Sequence, residues 1–179
     1  SIIGFAAGLA HNGFLPIPEI QFLAYFHNAE DQLRGEAATL SFFSQSQYTN
    51  PMVIRIPGLA YQKGFGGHFH NDNSISVLRD IPSVIIACPS HGHDAGNMLI
   101  ECVRLAVEER RIVVFLEPIA LYRQKDLYDA GDRLWLSALS GARERIAFGD
   151  IGIRGKGQDI TVISYGNGFY YSLDFVCDF

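Results

Sequence analysis

Residues 83–116 read SVIIACPSHGHDAGNMLIECVRLAVEERRIVVFL, and this stretch decides the fold. Residues 83–88, SVIIAC, form an apolar run of strand length, the pattern of a buried strand. Pro89 and Ser90 lead towards Asp94, after which Met98, Cys102, Leu105 and Ala106 recur at the spacing of one helical face. Residues 112–116, IVVFL, are a second buried strand. A strand, a helix and a strand in this order predict a parallel pair joined by a helical crossover, and so an α/β fold with helices on both faces of the sheet.

Working outward, residues 52–56 give another short strand. Residues 2–12, IIGFAAGLAHN, are small and apolar and stop at Gly13, which predicts a closely packed helix with a glycine end. The two prolines in residues 14–20, FLPIPEI, suit a sheet edge or a short strand. Between Asn28 and about Phe43, Ala29, Leu33, Ala37 and Leu40 return every three or four positions, a helical pattern. Residues 124–158 are more polar, hold six glycines and read as a connector with an exposed excursion. Residues 160–165, ITVISY, predict a further strand, and Gly166-Asn167-Gly168 a strand-to-helix turn that opens a second α/β unit. Ser1 opens directly into an apolar segment and Phe179 falls inside an amphipathic one, the expectation for a fragment of a longer protein.

Composition narrows the function classes. The 179 residues are 48% hydrophobic and 18% charged, ordinary for a globular protein with one domain or slightly more. A formal net charge of -5, with Lys and Arg scattered, argues against nucleic acid. No apolar run reaches the ~18 residues of a membrane helix, and no signal peptide is read. Cys88, Cys102 and Cys177 lack metal-type spacing and suit free, mostly buried thiols in a reducing compartment.

The chemistry-bearing run is residues 64–72, GFGGHFHND: glycines that permit positive φ, then two histidines, an amide and a carboxylate. On an extended segment His68 and His70 would share one side, and His91 and His93 repeat the spacing. With Asp94 these form a conceivable metal set, although structural or solvent-exposed roles fit His91 and His93 better. Glu19 and Gln21, with Phe22, Tyr25 and Phe26 nearby, read either as a carboxylate at a helix start or as a pocket that stacks and hydrogen-bonds a heterocycle. Glu117 ends a strand where parallel sheets bind ligands, yet it could equally pair with Arg55 or Arg123. No phosphate-binding P-loop or metal–diphosphate motif is present.

Taken in order, EIQFLAYFHNAEDQLRGEAA (19–38), GFGGHFHND (64–72), ACPSHGHDAGNML (87–99) and VVFLEPIALYR (113–123) resemble the beta subunit of the thiamine-diphosphate-dependent first component of 2-oxoacid dehydrogenase complexes, of the branched-chain and bacterial pyruvate types. The resemblance implies a pyrimidine-binding domain over 1–123, a connector over 124–158 and the start of a transketolase-like C-terminal domain over 159–179. It implies oxidative decarboxylation of a 2-oxo acid with acyl transfer to a lipoyl group, by a chain that alone is inactive. The partners implied are an alpha subunit, or a fused domain, holding the diphosphate and Mg²⁺, a second beta subunit in a heterotetramer, and a lipoyl acyltransferase core. The compartment implied is bacterial cytoplasm or the mitochondrial matrix. By position Tyr25 matches the aromatic that packs on the pyrimidine, Gln21 would line the same pocket, and His70 matches the active-site histidine, with HSQ here reading HND. The glutamate that bonds the pyrimidine nitrogen is expected just before Ser1. The family's structural potassium site falls near Ala106, Val107, Glu109 and Arg111, and with an arginine at 111 no ion is expected. The alternatives are another transketolase-like enzyme without a lipoyl partner, or a non-catalytic scaffold or metal-binding subunit.

Overall fold

A computed structural model describes residues 1–60, 66–138 and 146–176. Gly64 and Phe65 of the glycine-rich run, and Cys177, lie outside the described residues. Among the described residues the sheet has three strands, β1 (Met52–Gly58), β2 (Val84–Ala87) and β3 (Ile112–Pro118), in the order β1-β3-β2. Both pairings are parallel, with Met52 and Val84 each opposite Ile112. Helix α6 (Ile75–Arg79) precedes β2, and helix α7 (Gly92–Glu108) connects β2 to β3, the crossover predicted from residues 83–116. β2 is less buried than its apolar run suggested: only Ile85 is fully covered, whereas β1, the other edge strand, is flanked by residues 14–20 and nearly all buried.

The two faces of the sheet carry two cores. On one, Val53, Ile85, Val113 and Phe115 pack against Cys102, Leu105 and Ala106 of α7. On the other, Met52, Ile54, Ile56, Ile112, Val114 and Leu116 meet Ile3 and Ala6 of α1 (Ile2–His11), Leu23 and Phe26 of α2 (Leu23–Phe26), and Leu33 and Ala37. The alternation follows from the two-residue period of a strand, which sends neighbours to opposite faces. Residues 14–20 run along the outer edge of β1, with Val53 and Arg55 donating to the Pro16 and Pro18 carbonyls at 3.2 and 2.9 Å. Proline suits that place because its missing N–H is not needed there.

The long helix expected from Asn28 is broken. It divides into α3 (Glu30–Gln32), a π-helical turn (Leu33–Ala37) and α4 (Leu40–Phe43). Gly35 lowers helix propensity within the turn, and the Thr39 hydroxyl donates to the Gly35 carbonyl at 2.6 Å, the local competition that bends helices. The widened turn places Ala37 and Ala38 side by side in the core.

The strand expected over 160–165 does not form. Ile160, Val162 and Ile163 are exposed, and no described strand lies alongside to take their backbone hydrogen bonds. Gly166, at φ +56°, does turn the chain into α8 (Asn167–Val176). α8 is held by Asn167 Nδ2 donating to the Leu59 carbonyl and by Tyr170 OH donating to Asp126 O at 3.0 Å. The connector is also more ordered than expected at its start: Leu127 and Trp135 are buried, and Asp132 accepts backbone N–H bonds from Leu127, Tyr128, Asp129 and Leu134.

Cys88 and Cys102 are free thiols, and burial pushes each up to about 12, the nearby Glu101 charge adding to the effect at Cys102. Their slow alkylation by iodoacetamide at pH 8 in the folded protein, and rapid alkylation in guanidinium, are expected. An unfolded thiol loses its proton near ~8.5, so unfolding is favoured once the pH exceeds that value. The stability linked to these thiols is full below ~8.5 and declines as pH rises towards the folded value. A denaturation midpoint that climbs over that window would contradict this.

Candidate active site

The rings expected to matter meet beyond the end of β1. α2 is a single turn whose Leu23 packs against Gly58: a Cβ on Gly58 would lie 3.2 Å from Leu23 Cβ and 3.0 Å from Leu116 Cδ1. A methyl group there would require Leu23 or Leu116 to give by a few tenths of an ångström. Past the strand, Gly66 and Gly67 both take positive φ, +60° and +59°, and turn the chain into α5 (Gly67–His70). This corrects the extended reading of His68 and His70, which lie within one helical turn.

α5 and α2 bring His70 and Tyr25 together, with Tyr25 OH 3.1 Å from His70 Nε2. The other ring nitrogen, Nδ1, lies 3.1 Å from the Gly66 carbonyl. A carbonyl only accepts, so Nδ1 carries the proton in the neutral ring and Nε2 accepts from the tyrosine hydroxyl. Phe22 meets His70 edge to face at 5.0 Å between centroids, and Phe69 meets Tyr25 at 5.6 Å. Phe69 is about half exposed (48%), so the cluster opens to solvent. Gln21 is exposed beside Phe22 and outside the Tyr25–His70 contact.

Gly66 is the hinge of this geometry. A Cβ there would sit 2.2 Å from His70 Nδ1, in a backbone region that costs an L-residue about 1–2 kcal/mol. Gly66→Ala is expected to lose at least that much in denaturant unfolding and to break the Tyr25–His70 contact, read from the His70 imidazole resonances. Unchanged resonances would show that the loop absorbs the methyl group.

A second pair, not singled out from the sequence, lies alongside. His27 Nε2 donates to Asp72 Oδ2 at 2.7 Å, while Asp72 Oδ1 accepts from the Ser74 amide at 2.9 Å and the Ser74 hydroxyl at 2.5 Å. Burial alone would raise the Asp72 carboxyl, but the bonds from Ser74 and His27 outweigh it and hold the group below its ordinary value. The offset is the available signal: Tyr25 with His70 and His27 with Asp72 are both 45 residues apart.

The other candidates go elsewhere. His91 precedes α7 and packs edge to face on Trp135 at 4.9 Å, and His93 lies 3.5 Å from Asn97 Nδ2. Among the described residues no group of three or more His, Cys, Asp or Glu is placed to hold a metal. Glu117 is committed to Arg55 Nε at 2.7 Å and Tyr122 OH at 2.5 Å, and the same guanidinium reaches Glu19 at 2.8 Å. Burial, reinforced by the bond to Glu117, raises the Tyr122 phenol. Glu109 pairs with Arg104 at 2.8 Å, and the Arg111 amide donates to the Leu105 carbonyl at 3.1 Å.

Residues 1–125 match the family described as "Transketolase, pyrimidine binding domain". The chain belongs to this family. Within it, this pyrimidine-binding-domain chain is 29% identical over 175 residues to the pyruvate dehydrogenase E1 component subunit beta of Bacillus subtilis (strain 168), covering 95% of the chain and 47% of that relative. It is 32% identical over 168 residues to the subunit of the same name from Staphylococcus epidermidis, covering 91% and 45%. It is 34% identical over 167 residues to the mitochondrial 2-oxoisovalerate dehydrogenase subunit beta of Dictyostelium discoideum, covering 92% and 40%. The chain thus spans less than half the length of these relatives. No described helix is long and apolar enough to cross a membrane.

Proposed function

We propose that this chain is the pyrimidine-binding part of the beta subunit of a thiamine-diphosphate-dependent 2-oxoacid dehydrogenase. The observation that carries the reading is the Tyr25–His70 pair within the family's domain, on a ring cluster open at the end of the sheet. The fit to the cofactor rests on the donor set. Tyr25, Phe22 and Phe69 offer ring faces and edges to a heteroaromatic, and His70 offers a ring nitrogen that can donate or accept a hydrogen bond. When bound, the cofactor supplies the electron sink for decarboxylation.

The work of this chain's own residues is binding and orientation. Tyr25 holds the pyrimidine with its ring, and its hydroxyl keeps His70 Nε2 pointing into the site. His70 orients the 2-oxo acid and moves a proton at Nε2 once the Tyr25 hydroxyl yields its place. Gln21 lines the outer edge of the pocket. The diphosphate and Mg²⁺ belong to an alpha subunit or fused domain. A second beta subunit and a lipoyl acyltransferase core complete the assembly, in a bacterial cytoplasm or mitochondrial matrix. In this reading residues 1–123 are the pyrimidine-binding domain, 124–158 the connector and 159–179 the start of the C-terminal domain.

The test uses the complete enzyme with its partner chain, thiamine diphosphate and Mg²⁺. Reductive acylation of a lipoyl domain that depends on pyruvate or 2-oxoisovalerate is the expected result. Ketol transfer between sugar phosphates with no lipoyl acylation would move the chain to another transketolase-like activity. Failure of both would leave a scaffold.

A further inference from the structure

The turn that carries His70 buries none of its own side chains. α5 is four residues long and is entered through two glycines at positive φ. One isolated turn does not sustain itself, so its position is set by tethers. One tether on its C-terminal side is Asp72, joined to His27 at the end of α2. The carboxylate is fixed at its other oxygen by Ser74, and the Asp72 amide closes the turn by donating to the Phe69 carbonyl at 3.2 Å.

We propose that His27 and Asp72 are positioning residues for His70: their bond clips the end of α5 to α2 and sets the distance between the His70 imidazole and the Tyr25 hydroxyl. The two bridges run side by side between the same two turns, Tyr25 to His70 and His27 to Asp72, two residues apart on each. Both members of the clip are partly exposed, 43% and 21% by side chain, so the pair adds little to global stability and acts on local geometry. His27 and Asp72 act through His70, and the proposal rests on the reading of His70 as the group that meets the 2-oxo acid.

The experiment uses the complete enzyme with its partner chain and compares His27→Ala, His27→Gln, Asp72→Ala and His70→Ala. His27→Ala is expected to lower kcat about ten- to a hundredfold, the scale of a small misplacement of a reacting group. The KM for the 2-oxo acid should stay within about twofold. Hydrogen–deuterium exchange at the amides of residues 69–72 should speed up. His27→Gln, whose amide can still donate to Asp72, should restore most of both. The double variant His27→Ala with Asp72→Ala should be no worse than the poorer single variant. Wild-type kcat and unchanged exchange in His27→Ala, beside an inactive His70→Ala, would overturn the clip and leave the His70 assignment standing. An active His70→Ala would instead remove the His70 assignment, and the exchange data would then decide the clip: faster exchange upholds it, unchanged exchange overturns it.

Discussion

Replacing His70 with alanine in the complete enzyme should reduce kcat by about a hundred- to ten-thousandfold, the range lost with a positioned acid–base group. The fold should survive. His70 is only partly buried, and its removal ends hydrogen bonds to Tyr25 and Gly66 that are worth about 1 kcal/mol each. Circular dichroism and assembly with the partner chain should therefore match the unaltered enzyme while lipoyl acylation collapses. Tyr25→Phe separates the two parts of the site. It keeps the ring proposed to meet the pyrimidine but removes the hydroxyl bonded to Nε2, and its turnover should fall between those of the unaltered enzyme and His70→Ala. A His70→Ala enzyme within about threefold of normal turnover would end the assigned role, since such a difference is under 1 kcal/mol of barrier.

The largest structural effect is expected from Phe26→Ala. Phe26 is wholly buried, in the core with Ile3, Leu23, Leu33 and Ile54. Removing a buried phenyl ring costs about 3–5 kcal/mol, against a total stability of roughly 5–15 kcal/mol for a domain. The consequence reaches the site because α2 is only four residues long and Phe26 is its anchor beside Tyr25. Guanidinium unfolding should show the full loss. A loss below about 1 kcal/mol would mean that neighbouring side chains fill the space.

Local pattern carried the sheet. Apolar runs at 52–56, 83–88 and 112–116, with a helical face between the last two, are short-range signals that survive tertiary packing. Strand order is not a local property, so the exposed flank of β2 was invisible in a run as apolar as SVIIAC. The period through Ala29, Leu33 and Ala37 was real, but a single glycine and a threonine that bonds back to it widened the turn. The pattern at 160–165 met every local criterion for a strand and lacked a described neighbour to pair with.

The site was legible in its parts and not in its wiring. Tyr25 and His70 came forward through motif order and glycine context, and the positive φ at Gly66 and Gly67 is the conformation those glycines permit. Glu117 could have met a ligand, Arg55 or Arg123, and side-chain geometry places it on Arg55. The bond between His27 and Asp72 joins residues far apart in the chain, with no short motif to announce it.

The pairing of β1 with β3 has a consequence for synthesis. Among the described residues the partner strand of β1 is β3, with Met52 opposite Ile112, so that edge of β1 stays open on the ribosome until β2 and α7 have followed it. Residues 52–54 are apolar and fully buried in the finished protein. In the nascent chain their β3-facing edge is an open apolar surface, of the kind that holdase chaperones cover and that slow elongation leaves open to aggregation.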